Sequence, residues 1–227
     1  MVKRTFKFLI QVANRLMLAI TRNNLQLTGS TFFFFTCKAD KGNVIQLSRS
    51  TVERTSMSVK GANNAISAER ALLSNCSIQI NGSNNRLTIR SGVKLREATI
   101  NIRGSHCSIV IGENTTFGGV RIVNVGNNNN VNIGSGCLFA DHIEIWASDT
   151  HAILNSSGEM INREKSIEIS DRVWIGSHVV ILKGVVIESD SVVGMGTVVS
   201  GNIPANTVSV GNPNRVVKEG ITWSLKY

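Results

Sequence analysis

The sequence predicts an all-β fold, a three-sided parallel solenoid in which short strands stack along one axis. Three observations predict it. Stepping by six from Ile169 gives Ile175, Ile181, Ile187, Val193 and Val199, all aliphatic and β-branched. Upstream, Leu87-Thr-Ile89, Ile109-Val-Ile111 and Val131-Asn-Ile133 recur at every twenty-second position, and Lys60-Gly-Ala-Asn-Asn recurs at an interval of twenty-one as Asn81-Gly-Ser-Asn-Asn. The composition is poor in aromatics (5%) and in Pro, and Asn clusters at Asn63-Asn64, Asn84-Asn85 and Asn127 to Asn130.

A period of six is neither helical nor a plain alternation. With 42% apolar residues, six aliphatic hits in six have a chance probability of about 0.005 before the phase is chosen. Four residues after each lead come Val173, Val179, Val185, Ser191, Thr197 and Ile203, all small or β-branched. Six residues then make one flat side and one corner, and eighteen close a triangle. β-Branched side chains suit such stacked strands, and each coil pairs with the next at about 4.8 Å. The phase runs back to Ile133, Phe139 and Ile145. The longer upstream repeat implies extra residues at one corner, where Asn tolerates the left-handed conformation. The solenoid is expected over residues 44–210, about eight coils and ~40 Å long. Residues 1–43 form an N-terminal basic segment and cap, and 211–227 a short tail. One phase break, residues 150–166, is a polar loop ejected from the coil. Such loops are disproportionately functional.

At 227 residues and this apolar fraction the chain builds a real core, which excludes global disorder. The net charge is +9, and residues 1–60 hold ten Lys and Arg against two acids. That asymmetry fits an anionic partner, either an acidic glycan or the inner face of a membrane. Nucleic acid is not expected, because no helix-turn-helix, zinc-finger spacing or aromatic-rich strand accompanies the charge. In MVKRTFKFLIQVANRLMLAI, Phe6, Leu9, Ile10, Val12, Leu16, Met17 and Ile20 fall on one helical face. Lys7, Asn14 and Arg15 interrupt the apolar run, so neither a signal peptide nor a membrane span is expected. The reading is a cytoplasmic protein with an amphipathic N-terminal helix, packed on the domain or adsorbed at the inner membrane face. The run Phe32 to Phe35 reads as a first strand or a cap. Cys37, Cys76, Cys107 and Cys137 lie far apart in the chain with no C-x-x-C, so they read as small buried hydrophobes.

Residues 173–219, VWIGSHVVILKGVVIESDSVVGMGTVVSGNIPANTVSVGNPNRVVKE, with the loop sequences SDTHAI (148–153) and SGEMIN (157–162), resemble hexapeptide-repeat acyltransferases. The nearest branch is the galactoside and maltose acetyltransferases and the sugar O-acetyltransferases of capsule and lipopolysaccharide. The specific likeness covers residues 145–219. It implies a left-handed parallel β-helix, a hand that periodicity cannot supply because parallel crossovers are otherwise right-handed. It also implies a homotrimer, with acetyl-CoA as acyl donor lying between neighbouring solenoids, and no metal.

By the same resemblance His151 is the general base. Asn162 is assigned to the acceptor; Asp149 lies two residues before His151, so an extended segment turns both the same way, and its readings are orientation of the imidazole, acceptor binding and a plain solvated acid. Trp174 lines the thioester end of the groove and serves both substrates. Ser177, Gly194, Met195, Gly196, Ser200, Gly201, Arg215 and Lys218 contact the donor. Met195 stands where relatives usually have Ala, and Ser200-Gly201 where they often have Thr-Lys. The chemistry suits a lone His. A neutral imidazole, ordinary pKa about 6.5, can take the proton of an attacking hydroxyl and return it to the departing thiolate. The expected function is acetyl-CoA-dependent O-acetylation of a sugar hydroxyl in a surface polysaccharide or its precursor. N-acylation of a nucleotide-linked amino sugar and a non-catalytic scaffold are the alternatives.

Overall fold

The computed structural model describes residues 25–226. The helix expected over the first twenty residues lies outside them. Among the described residues every regular element is a strand, and these stack into three sheets of eight, ten and eight strands, parallel except for the last strand of the ten. Sheet A runs from Leu25–Thr28 to Val186–Ile187. Sheet B runs from Thr31–Phe33 to Thr207–Val210, and sheet C from Thr36–Ala39 to Val198–Val199. Successive strands along the chain visit A, B and C in turn, which is the three-sided solenoid the period implied. Arg215–Glu219 closes sheet B as an antiparallel edge strand on Thr207–Val210.

The six-residue phase holds. Ile169, Ile175, Ile181, Ile187, Val193 and Val199 are fully buried, and so are the corner residues Val173, Val179, Ser191, Thr197 and Ile203. Burying an Ile or Val side chain contributes about 1.5–3 kcal/mol. Two aromatic leads in register, Phe117 and Phe139, stack with centroids 4.4 Å apart.

The strands begin one coil earlier than expected. Leu25–Thr28 pairs with Val44–Ser48, so the solenoid starts at Leu25 and not at Val44. The physical reason is the step. In this coil the inward residues Leu27, Phe32 and Cys37 are five apart, matching Leu47, Val52 and Met57 above them, so a six-residue phase passes over them. The Phe run is a strand, Thr31–Phe33, followed by a corner at Phe34 (φ 50°) and an inward Phe35.

The shift between paired positions of successive coils is not constant. It grows from twenty (Leu25 to Ile45) through twenty-one (Ile45 to Ile66) to twenty-two (Leu87 to Ile109). It is thirty-six from Val131 to Ile167 and eighteen from Glu168 to Val186. The extra upstream residues enter sheet C and the corner that follows it. The sheet C strands Ser77–Ser83, Ala98–Ser105 and Val120–Asn127 have 7, 8 and 8 residues, against 2 for Val198–Val199. At that corner Gly61, Gly82, Gly104 and Gly126 stack with φ of 98° to 134°. A Cβ on Gly104 would come 1.8 Å from the Gly126 carbonyl oxygen, so only Gly fits. Each Asn pair divides its labour. Asn63 and Asn84 take positive φ, whereas Asn64 and Asn85 turn inward. There Asn64 and Asn85 donate to the side-chain oxygens of Asn43 and Asn64, and the Asn85 oxygen accepts the Cys107 N–H at 2.9 Å. This buried ladder satisfies backbone groups that the wide corner leaves without strand partners.

Candidate active site

The coil that joins Val131–Ile133 to Ile167–Ile169 is twice as long as its neighbours above, and its surplus leaves the solenoid between Ile143–Trp146 and Ile167–Ile169. The chain turns at Thr150 (φ 63°), where the His151 N–H donates to the Asp149 carbonyl at 2.8 Å. It then makes a small hairpin in which Leu154 bridges Met160 and the Ile161 N–H donates to the Ile153 carbonyl. The hairpin exposes Ile153, Leu154, Met160 and Ile161.

Two anchors hold the loop. On the return limb the Glu164 carboxylate rests on Gly126, the last glycine of the stacked corner, and accepts the Asn127 N–H at 2.9 Å. That bond holds the Glu164 carboxyl below its ordinary pKa. On the outgoing limb the Lys183 ammonium donates to Asp149 Oδ2 at 2.5 Å and to the Asn162 carbonyl at 2.8 Å. The Asn162 amide donates to Asp149 Oδ2 and to the His151 carbonyl, and its oxygen accepts the Ile153 N–H. Lys183, chiefly by its hydrogen bond, holds the Asp149 carboxyl below the usual carboxylate range.

His151 is exposed, and together with Thr150 it stands at the end of a groove of about 430 Å³ on the wide part of sheet C. Gln79, Asn101 and Arg103 lie along it, and the Arg121 guanidinium sits 5.0 Å from the centroid of the Trp146 ring. A groove of similar size, about 470 Å³, lies on sheet A beside Ser48, Glu69, Arg90 and Glu113. It contains no loop residue, so the one that ends at the imidazole is the better candidate for chemistry.

The structure brings some expected residues together and separates others. Asp149, His151 and Asn162 share the loop. The segment is not extended at Thr150, however, and the Asp149 carboxylate engages Lys183 and Asn162 where alternation would have aimed it along the imidazole. Trp174 is half-exposed on the outer face of sheet B, away from the groove of its own chain. Its neighbour is Trp223 of the tail, 6.1 Å between centroids, whose indole N–H donates to the Arg172 carbonyl at 2.6 Å. Ser177 and the turn Gly194-Met195-Gly196 stack on the corner between sheets B and C, where the Gly196 N–H donates to the Ser177 carbonyl. The Ser177 hydroxyl donates to the Asp141 carboxylate, chiefly by which that carboxyl lies below its ordinary pKa. Met195 is 73% exposed, and nothing stands within 4 Å of a Cβ on Gly196, so that turn is open to a ligand. The Ser200 and Gly201 N–H groups both donate to the Asn214 side-chain oxygen at 3.0 Å. Those amides are therefore engaged within the chain. Arg215 and Lys218 are exposed on the edge strand.

Sequence reasoning missed Lys183, Glu164, Trp146, Arg103 and Arg121. The coil arithmetic carried a signal for Lys183. Trp146 pairs with Leu182 in sheet C, which puts Lys183 directly above the loop's departure point. The cysteines are all free. Cys76, Cys107 and Cys137 are buried, and burial pushes the Cys137 thiol up to about 11, which leaves no thiolate for nucleophilic work. His142 and His178 take positive-φ corner positions and stack at 4.7 Å.

Residues 166–201 match the family described as bacterial transferase hexapeptide (six repeats). The polysialic acid O-acetyltransferase of Escherichia coli O1:K1 / APEC is 34% identical over 138 residues, 60% of this chain and 44% of that one. The galactoside O-acetyltransferase of Escherichia coli strain K12 is 42% identical over 91 residues, 39% and 44% of the two chains. The chain thus spans less than half the length of these curated relatives. The crystal structure of the polysialic acid O-acetyltransferase OatWY superimposes with a TM-score of 0.74 at 29% identity, covering 90% of this chain and 93% of that one. With its six-residue phase, its matched repeats and a solenoid shared over nearly its full described length, the chain is similar to the bacterial hexapeptide-repeat transferases, the family description itself matching residues 166–201.

Proposed function

We propose that the protein transfers an acetyl group from acetyl-CoA to a hydroxyl of a polysaccharide. The observation that carries this reading is the ejected loop, which delivers a solvent-facing imidazole, His151, to the end of a groove lined with amides, arginines and an indole. The relatives named polysialic acid O-acetyltransferase support an acidic glycan as acceptor, and so does the basic character of the chain.

His151 takes the proton of the attacking sugar hydroxyl as its oxygen bonds to the thioester carbonyl carbon. The tetrahedral adduct collapses, the carbon–sulfur bond breaks, and the imidazolium returns its proton to the departing thiolate. The products are the acetyl ester and the free thiol, and no acyl-enzyme is needed. Asp149, Asn162 and Lys183 are positioning residues, because their bonds fix the backbone on both sides of the imidazole. The open Gly194-Met195-Gly196 turn fits a close approach of the donor's pantetheine arm, and Arg215 and Lys218 fit its phosphates. Ser200 and Gly201 do not fit a donor contact through their amides, which Asn214 occupies.

We further propose a homotrimer of left-handed coils, acting in the cytoplasm or at the inner membrane face. In one protomer His151 and Trp174 belong to different faces, so a neighbour would bring an indole to the imidazole. The exposed hairpin residues Ile153, Leu154, Met160 and Ile161 provide the apolar surface for that neighbour. The test is thiol release from acetyl-CoA with sialic acid polymer as acceptor, with the product ester identified by its lability to mild alkali. His151→Ala is expected to lower kcat by about 10²–10⁴-fold. Unchanged turnover in that variant would leave a scaffold or another base; an alkali-stable product would indicate an amide.

A further inference from the structure

We propose that the widened face of sheet C binds a run of several carboxylate-bearing sugar units, with Arg103 and Arg121 pairing with the carboxylates. The groove then presents one unit of that run to His151. This rests on the acetyl-transfer reading above and adds the form in which the acceptor is held: an acidic oligomer lying along the solenoid axis.

Gln79, Asn101, Val123 and Trp146 are successive partners across four strands, and so are Asn81, Arg103 and Val125 across three. Each step along such a row advances about 4.8 Å. The row from Gln79 to Trp146 therefore extends over ~14 Å, longer than one sugar ring, and it ends beside Thr150 and His151. The outer row, from Asn81 to Val125, exists only because the upstream coils hold strands of 7 and 8 residues there. The solenoid does not need this width, since the coils above the loop close in eighteen, as from Glu168 to Val186 and from Trp174 to Val192.

The chemistry along the rows is that of a glycan site. Gln79, Asn81 and Asn101 offer both donors and acceptors to hydroxyls. Trp146 offers a flat apolar face with its N–H already placed on Glu144 Oε2 at 2.6 Å. Among the described residues neither Arg103 nor Arg121 forms an ion pair. The Glu144 carboxylate, cross-strand from Arg121, is engaged by the indole, and Glu97, which lines the same hollow, forms no ion pair with Arg121 among the described residues. Stacking on Trp146 holds the Arg121 guanidinium in one orientation. A guanidinium without a carboxylate partner on a polar groove suits a bidentate carboxylate ligand. Two of them, one coil apart and on either side of the row from Gln79 to Trp146, suit two carboxylates on one chain of sugars.

The experiment is binding without turnover. Full-length His151→Ala is titrated calorimetrically with sialic acid, its dimer, tetramer and octamer, and with octamer whose carboxyls have been reduced to alcohols. Affinity is expected to rise at least tenfold from monomer to tetramer and then level off, and to fall at least tenfold on carboxyl reduction. Arg103→Gln and Arg121→Gln, each added to that background, are expected to weaken tetramer binding about tenfold while the thermal midpoint stays unchanged. Equal affinity for monomer and octamer, equal affinity for reduced and native octamer, or Arg variants that bind normally would each overturn the site. Tighter binding of single-stranded DNA than of the octamer would also overturn it. The two readings fail separately. Normal transfer by wild type and by both Arg variants leaves the transferase standing without this groove. Length-dependent octamer binding with no thiol release by wild type leaves the groove standing without the transferase.

Discussion

Between Ile100 and Ile111 the chain takes eleven steps to pass from the core side of sheet C to that of sheet A; between Ile181 and Ile187 it takes six. Both pairs of residues sit in the same two columns of the core, so the inner triangle is nearly conserved and the difference is spent on the outside. The lower coils use it for a wide sheet C, a stack of left-handed glycines and a buried asparagine ladder. The upper coils reduce each side to one inward residue and one corner residue. The comparison teaches that coil length in this solenoid sets the breadth of one outer face, and that the broad face lies beneath the loop bearing His151.

The largest effect that sharpens the comparison concerns the two kinds of corner. Gly104 has φ 128°, and a Cβ there would overlap the Gly126 carbonyl at 1.8 Å; Gly196 has φ 72° with nothing within 4 Å. Gly104→Ala combines strain at a glycine-only φ with a steric overlap, each costing about 1–3 kcal/mol. Gly196→Ala meets only the left-handed penalty of about 1–2 kcal/mol. Urea unfolding of both variants should show Gly104→Ala as clearly the more damaging. The reverse order would mean that the wide corner is not rigid.

A smaller difference is expected between the polar groups inside the two kinds of coil. Asn85 donates to the Asn64 oxygen and to the Gly104 carbonyl at 2.8 Å, and accepts the Cys107 N–H. Asn85→Ala takes the side-chain partner from two backbone groups, the Gly104 carbonyl and the Cys107 N–H, and should cost about 2–4 kcal/mol. Ser191, buried in an upper corner, donates only to the Glu188 carbonyl at 2.7 Å, and Ser191→Ala should cost about 1 kcal/mol. Denaturant midpoints at constant slope would measure both. Equal losses would make the ladder an ornament of the wide corner and not its support.

The upper coils were the more legible in sequence, for a physical reason. One inward residue every six is a strong period, and Ile169 to Val199 obeys it without exception. In the lower coils the sides advance by five or six and return by eleven, so the six-residue signal breaks up and the first coil, from Leu25, went unread. Asn clusters gave the corners, yet only the first Asn of each pair needs the left-handed φ; the inward role of Asn64 and Asn85 depends on partners one coil away. The loop was legible as a phase break and His151 as the histidine it carries. Its supports were not, because Glu164 and Lys183 reach it through coil register: Glu164 sits beside Asn127, and Lys183 reaches back to Asp149 from the coil above.

Those supports give the smallest expected effect, and it lies where the two regions meet, since Glu164 anchors the loop to the lower coils and Lys183 to the upper. Both Asp149 and Glu164 are held below their ordinary pKa values, the first chiefly by Lys183 and the second chiefly by the Asn127 N–H. A carboxyl with a depressed folded pKa contributes its anchoring fully above its unfolded value, about 4, and loses it as the pH falls through the folded value. Amide hydrogen exchange in residues 148–165 should therefore be equally protected from pH 8 to pH 5 after correction for intrinsic rates, and lose protection only below about pH 4. Lys183→Met removes the charge that lowers Asp149 and the bond to the Asn162 carbonyl. Protection on the outgoing limb should then fail at a higher pH than on the return limb, where the Asn127 N–H, the chief cause, still holds the Glu164 carboxyl down and Lys183 contributes only a minor part. The same variant should lower kcat about tenfold with the thermal midpoint little changed, because His151 is misplaced and not removed. If both limbs lost protection together, the loop would be held as one unit and the division of its anchors between lower and upper coils would fall.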